Sequence, residues 1–250
     1  MKSPVILMNF THVYEQESFT KNKKFAWIDC TDITGTDCYC DKDAMRILKE
    51  RIAAFPPEGI HFIDSGNHHY MSKLWTDKIA SPFSLVVFDH HPDMQPSLFD
   101  DMMSCGSWVE DVLDTNPNIR KLCIVGASDE LIGKVNPVYS NRLIFYSEKA
   151  LDHEEAWKNF SAFHLNEPVY ISVDKDVLNR ESAITNWDQG SLSLSELEKL
   201  LVIILKNEHV IGIDICGECS TTLSLFKMQQ YERINSRVNE ELVRLFVHYS

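Results

Sequence analysis

The chain has 250 residues, of which 44% are hydrophobic and 24% are charged, as is usual for a soluble globular protein. Asp and Glu outnumber Lys and Arg by 37 to 24, which gives a formal net charge of −13. This balance argues against nucleic acid or an anionic membrane as the main partner, because both attract basic surfaces. No apolar stretch approaches the ~20 residues that a membrane span requires.

The cysteines favour a reducing compartment. There are seven, an odd number, and the first residues do not resemble a secretion signal, so we expect reduced thiols in a cytoplasmic protein. Two close pairs, Cys38/Cys40 and Cys216/Cys219, lack the spacing of a zinc ribbon. We therefore interpret the thiols as structural.

Short apolar runs recur along the chain, with helical patterns between them. Most runs lack alternation, which is typical of strands that are buried on both faces. The predicted strands are Val5–Met8, Phe25–Ile28, His61–Ile63, Leu85–Phe88, Leu122–Val125, Leu143–Tyr146, Val169–Val173 and Val210–Ile213. This order predicts a parallel sheet with helices on both faces, in one domain spanning residues 1–250.

The sequence pattern predicts three helices between or after the strands. One carries an apolar face from Ala44 to Ile52, and Asp41 can cap it. A second carries a leucine-rich stripe over 197–205, with a capping box from Ser193 and Glu196 or from Ser195 and Glu198. A third covers much of Tyr231–Val247.

Acidic and histidine side chains follow three of the apolar runs. Asp89, His91 and Asp93 follow one, Asp174 and Asp176 follow another, and the sequence Ser-Gly-Asn-His-His at 65–69 follows a third. Ligands of open parallel sheets bind beyond the carboxyl ends of the strands. We therefore expect these side chains to meet at one edge of the sheet.

Such a meeting would gather four carboxylates and at least two imidazoles. Carboxylates at close range repel one another, and two divalent cations would cancel their charge. Oxygen and imidazole ligands suit Mn²⁺, and also Fe²⁺, Co²⁺, Ni²⁺ or Zn²⁺. A pair of such ions can acidify a bridging water to give a nucleophile near neutral pH.

These segments resemble the three metal motifs of the ureohydrolases, the superfamily of arginase, agmatinase and formimidoylglutamase. The matching segments are Asp89-x-His91-x-Asp93, Ser172-x-Asp174-x-Asp176 and Gly66-Asn67-His68-His69. The resemblance runs from about Ile63 to Glu218. It implies a three-layer α/β/α sandwich with a mostly parallel sheet of about eight strands. It also implies a binuclear centre, usually of manganese, and hydrolysis of a C–N bond in a small guanidine or amidine by a metal-bridging hydroxide.

The resemblance assigns roles to six metal ligands. His69 and Asp93 would bind one ion, His91 and Asp176 the other, and Asp89 and Asp174 would bridge the two. Asp89 would also be catalytic, because in this family it orients the hydroxide. His68 is the alternative to His69 if the motif shifts by one residue.

Further residues are candidates for contact with substrate. Glu218 resembles the acid that pairs with the substrate guanidinium and would be a catalytic residue, with Asp214 as the alternative. Trp187 and Asp188 lie in a loop that could line the cleft. Cys105 stands where arginases have the histidine that shuttles protons, and its segment could form another wall.

Two other functions remain open. One is a deacetylase-like enzyme of the same fold class with a single zinc ion. The other is an altered arginase-like protein with a non-guanidine amide substrate or a binding role. Either way, we expect a small-molecule partner, and the resemblance admits a homo-oligomer.

Overall fold

The computed structural model describes residues 4–21, 23–96, 99, 102–219 and 225–249. Within these residues, eight strands form one all-parallel sheet and two form a small antiparallel ribbon. The strands are β1 (Val5–Asn9), β2 (Ala26–Asp29), β3 (Tyr39–Cys40), β4 (Gly59–Phe62), β5 (Phe83–Phe88), β6 (Met103–Ser104), β7 (Ile119–Val125), β8 (Leu143–Tyr146), β9 (Val169–Asp174) and β10 (Val210–Cys216). The order across the main sheet is β2-β1-β4-β10-β9-β5-β7-β8, and β3 pairs with β6.

Helices cover both faces of the main sheet. They are α1 (Lys42–Ile52), α2 (Met71–Thr76), α3 (Trp108–Thr115), α4 (Asp129–Ile132), α5 (Glu148–Leu151), α6 (Glu154–Ala162), α7 (Leu194–Asn207) and α8 (Leu225–Tyr249). In the described part of the chain, none of them is both long enough and apolar enough to cross a membrane.

Two hydrophobic cores follow from the alternation of side chains along the buried strands. Ile6 and Met8 of β1 point into a core shared with α1, α2 and α3. Leu7, between them, points into a core shared with α6, α7 and α8. The three-layer α/β/α sandwich expected from the sequence is therefore confirmed.

The predicted strands all exist, with two shifted boundaries that matter. The strand predicted over His61–Ile63 begins two residues earlier, at Gly59. The strand predicted over Val210–Ile213 continues to Cys216, because Asp214 is buried within it and accepts hydrogen bonds from neighbouring serines. The extension brings Cys216 beside Asp174, the last residue of β9.

The predicted helix caps are also present. The Asp41 side chain accepts a hydrogen bond from the backbone of Ala44 at the start of α1. Ser193 and Glu196 form the capping box of α7, so this pair, and not Ser195 with Glu198, begins the helix. The third helix, α8, includes all of Tyr231–Val247.

Candidate metal centre

One half of the candidate centre forms around His69. A short 3-10 turn, Gly66–His68, follows β4 and delivers this histidine to the carboxyl edge of the sheet. Its Nδ1 atom lies 3.0 Å from Asp93 Oδ2, 3.2 Å from Asp89 Oδ2 and 3.6 Å from Asp174 Oδ2. All four side chains are buried. One imidazole nitrogen thus faces three carboxylates that come from two strands.

The other half forms around His91. Its Nδ1 atom lies 2.9 Å from Asp176 Oδ2 and 3.4 Å from Asp89 Oδ1. The backbone amide of His91 donates to Asp89, and that of His90 donates to Asp176. Asp89 therefore stands between the two halves, with one oxygen directed to each. The six predicted ligands come together in one place.

Local turns of the backbone orient two of these ligands. Asp93 has a φ of +50°, a conformation that residues other than glycine seldom adopt, and the Trp108 indole N–H donates to its carboxylate at 2.7 Å. The Asp174 side chain accepts from the backbone amide of Asp176, which closes a short turn after β9. Local strain of this kind persists where surrounding contacts hold it, and it concentrates at functional sites.

A further hydrogen-bonded chain fixes the other face of His69. Its Nε2 atom lies 2.9 Å from the Ser172 hydroxyl, which in turn donates to Asp214 at 2.6 Å. Ser72 donates to the same Asp214 oxygen. This arrangement holds the imidazole so that Nδ1 points into the carboxylate cluster, as partners outside a ligand shell do in metal sites.

Two buried atoms in the cluster have no hydrogen-bond partner among the described residues. They are His69 Nδ1 and Asp89 Oδ2, which lie 3.2 Å apart. Buried polar atoms in native proteins are nearly always satisfied. Atoms that converge on a common point without bonding to one another fit the demands of a divalent cation, so the donor set here suits metal ions.

The pKa values reflect the crowding of charge. Burial, together with Asp176 and Asp89, raises the pKa of Asp174 to about 7. Burial and Asp89 likewise raise the pKa of Asp176 to about 6. Burial alone would lower the pKa of His91, but Asp176 and Asp89 raise it to about 12. The metal-free cluster therefore holds protons that a cation would displace.

A cavity of about 770 Å³ opens over the cluster. Trp187 lies at its rim, 39% exposed, and its indole N–H donates to Asn67. Cys105 and Cys38 also line the cavity, as neighbours at the end of the β3–β6 ribbon. The remaining wall is largely apolar and includes Tyr39, Met94, Leu131 and Val135, with Lys134 beside them.

Cys105 does not offer the chemistry of a shuttling histidine. A hydrogen bond with Cys38 and burial raise its pKa far above the usual value, whereas the pKa of Cys38 is lowered by the same hydrogen bond. Cys105 therefore keeps its proton near neutral pH. It remains a wall residue of the cavity, as the sequence predicted.

Glu218 does not face the cavity. Gly217, with a φ of +91°, turns the chain, and a Cβ atom on it would lie 2.5 Å from Asp174 Oδ1. The turn directs Glu218 into the interior, where its fully buried carboxylate pairs with Lys175 and accepts from Asn239 at 2.8 Å. This geometry contradicts the predicted contact between Glu218 and a substrate, because the carboxylate is occupied and is not part of the cavity wall.

Three other candidates also lie away from the cavity. His68 stacks on Phe10 with ring centroids 4.0 Å apart, so the histidine at the cluster is His69. Asp214 is fully buried behind His69 and supports it. Asp188 is exposed and, among the described residues, is not one of those that line the cavity. The prediction that Asp188 lines the cleft is therefore wrong.

Sequence reasoning missed two thiols. Cys216 lies inside the cluster, with its Sγ atom 3.1 Å from Asp174 Oδ2. Cys38 lies in the cavity wall. An apolar run continued through the buried Asp214 would have placed Cys216 at the functional edge of the sheet, but nothing local to Cys38 indicates its pairing with Cys105.

Comparison with known sequences defines the class. The profile of the arginase family matches residues 6–224, and the chain belongs to this family. An uncharacterized protein from Thermotoga maritima is 34% identical over 191 residues, which cover 76% of this chain and 70% of that protein.

Solved structures share the fold at low sequence identity. Formimidoylglutamase from Bacillus subtilis superposes with a TM-score of 0.70 at 15% identity, covering 99% of this chain and 88% of that one. Proclavaminate amidino hydrolase from Streptomyces clavuligerus gives 0.71 at 12% identity, covering 100% and 93%. Arginase from Bacillus caldovelox gives 0.66 at 11% identity, covering 96% and 98%.

Proposed function

We propose that the protein is a metal-dependent hydrolase that cleaves a C–N bond of a small, non-peptide amide or amidine. One observation carries the proposal. His69 Nδ1 and Asp89 Oδ2 are buried and make no hydrogen bond among the described residues, and they lie within a cluster of four carboxylates and two imidazoles. Membership of the arginase family, and the amidino hydrolase among its structural relatives, support the reaction class.

Two groups of candidate ligands favour two ions over one. His69, Asp89 and Asp93 form the first group, and Asp89 joins His91 and Asp176 in the second. Asp89 would be available to both ions, and Asp174 would be the second shared ligand of the family pattern. When bound, two divalent cations, with Mn²⁺ or another first-row metal at each position, would lower the pKa of a water molecule and polarise the carbon that it attacks.

The chain's own groups would prepare the reaction. Ser172 and Asp214 hold the ring of His69, so its metal-facing nitrogen keeps one orientation. Asp89 would accept a hydrogen bond from the attacking water, as its oxygens face both halves of the centre. The apolar wall above the cluster would exclude bulk water, which strengthens every electrostatic interaction inside.

The cavity argues against a strongly cationic substrate such as a guanidinium. Beyond the cluster itself, none of the described lining residues is acidic, and Lys134 adds a positive charge. The acid expected to form a two-point contact with a guanidinium, Glu218, is buried elsewhere. A neutral amide with an apolar substituent suits this wall better than an amidine, which also carries a positive charge near neutral pH.

The test combines metal analysis with a substrate panel. Protein stripped of metal and reloaded with Mn²⁺, Co²⁺ or Zn²⁺ should bind about two ions per chain and release ammonia or an amine from a member of a panel of amides, amidines and guanidines. Asp89→Asn should abolish release while retaining the fold, and Asp188→Asn, outside the cavity, is the matched control.

Two outcomes would replace the proposal. One zinc ion per chain with deacetylation would favour the deacetylase-like enzyme. Normal metal content without turnover of any panel member would favour a binding role.

A further inference from the structure

A thiol lies within the candidate metal centre, in addition to the six ligands of the family pattern. Cys216 ends β10 and is paired in register with Asp174, the last residue of β9. Neighbouring residues on parallel strands project to the same face. The Cys216 side chain is fully buried, and its Sγ atom lies 3.1 Å from Asp174 Oδ2.

The thiol shares a ligand group with His69. Potential ligand atoms of His69, Asp174 and Cys216 all lie within 4.8 Å of one another, and all three residues are buried. Zinc–sulfur and zinc–nitrogen bonds of about 2.3 and 2.0 Å place two ligands of one tetrahedral ion roughly 3.5 Å apart. Asp174 Oδ2 lies 3.1 Å from Cys216 Sγ and 3.6 Å from His69 Nδ1, which are separations of this size.

An independent observation indicates that this group is directed at a ligand. His69 Nδ1 is buried, makes no hydrogen bond within the described residues, and points into the same space. Ser172 occupies the other ring nitrogen. The thiol, an imidazole nitrogen and a carboxylate thus converge in one buried ligand group.

We propose that Cys216 is a direct ligand of the metal ion at the His69 position, and that this sulfur makes that position select Zn²⁺ or Co²⁺ over Mn²⁺. The inference rests on the metal centre proposed above. On binding, the S–H bond of Cys216 breaks, a sulfur–metal bond forms, and the proton leaves to the buffer. No electron is transferred in this step.

The two positions would then differ in chemical character. At the His69 position, sulfur joins imidazole and carboxylate, a mixture that favours softer cations. At the His91 position, the described candidates are Asp89, His91 and Asp176, which offer only oxygen and nitrogen. The centre would hold a zinc-like and a manganese-like position side by side.

Cobalt spectroscopy tests the sulfur bond directly. Metal-free protein titrated with Co²⁺ should develop the near-ultraviolet absorption of a sulfur-to-cobalt charge transfer, together with visible d–d bands. Cys216→Ser and Cys216→Ala should lose the charge-transfer band and keep d–d bands from the remaining ligands. Cys219→Ser is the matched control, because Cys219 is also buried but lies outside the cluster, and it should retain both.

Competition provides a second readout. Metal-free protein dialysed against equal Zn²⁺ and Mn²⁺ should take up zinc preferentially at one position, measured by mass spectrometry of bound metal. Cys216→Ser should reduce the preference by about tenfold or more, since even partners outside the ligand shell change metal affinity that much. The Cys219→Ser protein should behave as the wild type.

The outcomes separate the two proposals. If Co²⁺ binds with d–d bands but without charge transfer, or if the band survives in Cys216→Ser, the sulfur ligand is overturned and the metal centre stands. If no Co²⁺, Zn²⁺ or Mn²⁺ binds to folded protein, both proposals are overturned.

Discussion

Two clusters of buried charge lie next to each other at the carboxyl edge of the sheet, and they differ in how their charge is balanced. The first is the candidate metal centre, which includes Asp174 and Asp176. The second contains Lys175, the residue between them, and Glu218. Successive residues after β9 thus enter two different environments.

The Lys175 cluster balances itself. Lys175 pairs with Glu218 and also donates to Asn239 at 3.0 Å, while Asn235 donates to the second Glu218 oxygen at 3.0 Å. Glu17 lies beside them, and burial and the Glu218 charge raise its pKa well above the usual value. The Lys175 ammonium and the Glu218 carboxylate thus balance each other directly.

The charges of the metal centre are not balanced by its own residues. Four carboxylates outnumber two imidazoles, and two buried atoms have no partner among the described residues. The contrast teaches that burial of charge alone does not identify a functional site. A deficit of positive charge does, because it indicates that a cation must supply the balance.

Removal of a shared carboxylate should have the greatest effect on the metal centre. Asp174→Asn should reduce bound metal from about two ions per chain and lower turnover by about a thousandfold or more, as loss of a principal electrostatic group does. The metal-free variant should be at least as stable as the wild type, because one of several repelling acids is neutralised. Metal analysis, turnover and thermal melting measure these effects. Full metal content in the variant would contradict the proposed role of Asp174.

The balanced cluster should respond in stability instead. Glu218→Gln leaves the buried Lys175 ammonium without its counter-charge and should reduce the free energy of unfolding by about 3–5 kcal/mol, measured by denaturant titration. Metal content of the folded variant should be unchanged. The control is Glu130→Gln, which breaks the exposed pair with Lys134 and should cost less than about 1 kcal/mol. A loss of metal without a loss of stability would reverse the assignment of Glu218.

A smaller effect is expected from a residue that supports a metal ligand without binding metal itself. Ser172→Ala removes the contact that holds His69 Nε2 and should weaken metal binding by about 10–100-fold while two ions still bind at saturation. Calorimetric titration measures the affinity. Ser84→Ala is the control, since Ser84 is equally buried at the start of β5 and is not part of the ligand groups. Equal effects of both variants would indicate a packing role.

The smallest expected effect is a dependence of metal stabilisation on pH. The pKa values of Asp174 and Asp176, about 7 and about 6 in the fold, exceed their usual value of 3.8. At these two groups the metal-free fold binds protons that the unfolded chain releases, so their contribution to the free energy of unfolding falls as pH rises from about 4 to about 7. Cations replace those protons, so added Co²⁺ should raise the melting temperature more at about pH 8 than at about pH 5. An equal increment at both values would contradict this linkage.

The sequence predicted the parts of this molecule that depend on local patterns. Apolar runs identify the strands because the sheet is buried on both faces, and Asp41 and Ser193 identify helix starts because caps act within one turn. The grouping of the candidate ligands was predictable because the carboxyl ends of parallel strands meet at one edge. Their roles as metal ligands remain a proposal.

The sequence did not predict features that depend on distant segments or on a single backbone angle. The positive φ of Gly217 determines the direction of the Glu218 side chain. The spacing of residues in the sequence does not predict that this side chain turns away from the cavity. Asp214 interrupts an apolar run, yet Ser72 and Ser172 from other elements donate hydrogen bonds to its Oδ1 atom, and β10 continues to Cys216. Both failures arise where tertiary partners override a local signal.

Two tryptophans stand on opposite halves of the candidate centre. Trp108 donates to Asp93 and packs against the His69 ring at 4.8 Å, while Trp187 contacts the His91 ring edge-on at 5.9 Å. Each half thus has its own indole fluorophore beside it. Metal binding at the two positions should change the fluorescence of different tryptophans. Trp108→Phe should remove the fluorescence change at the His69 position, and Trp187→Phe should remove the change at the His91 position. Tryptophan fluorescence should therefore report the order in which the two metal positions are filled.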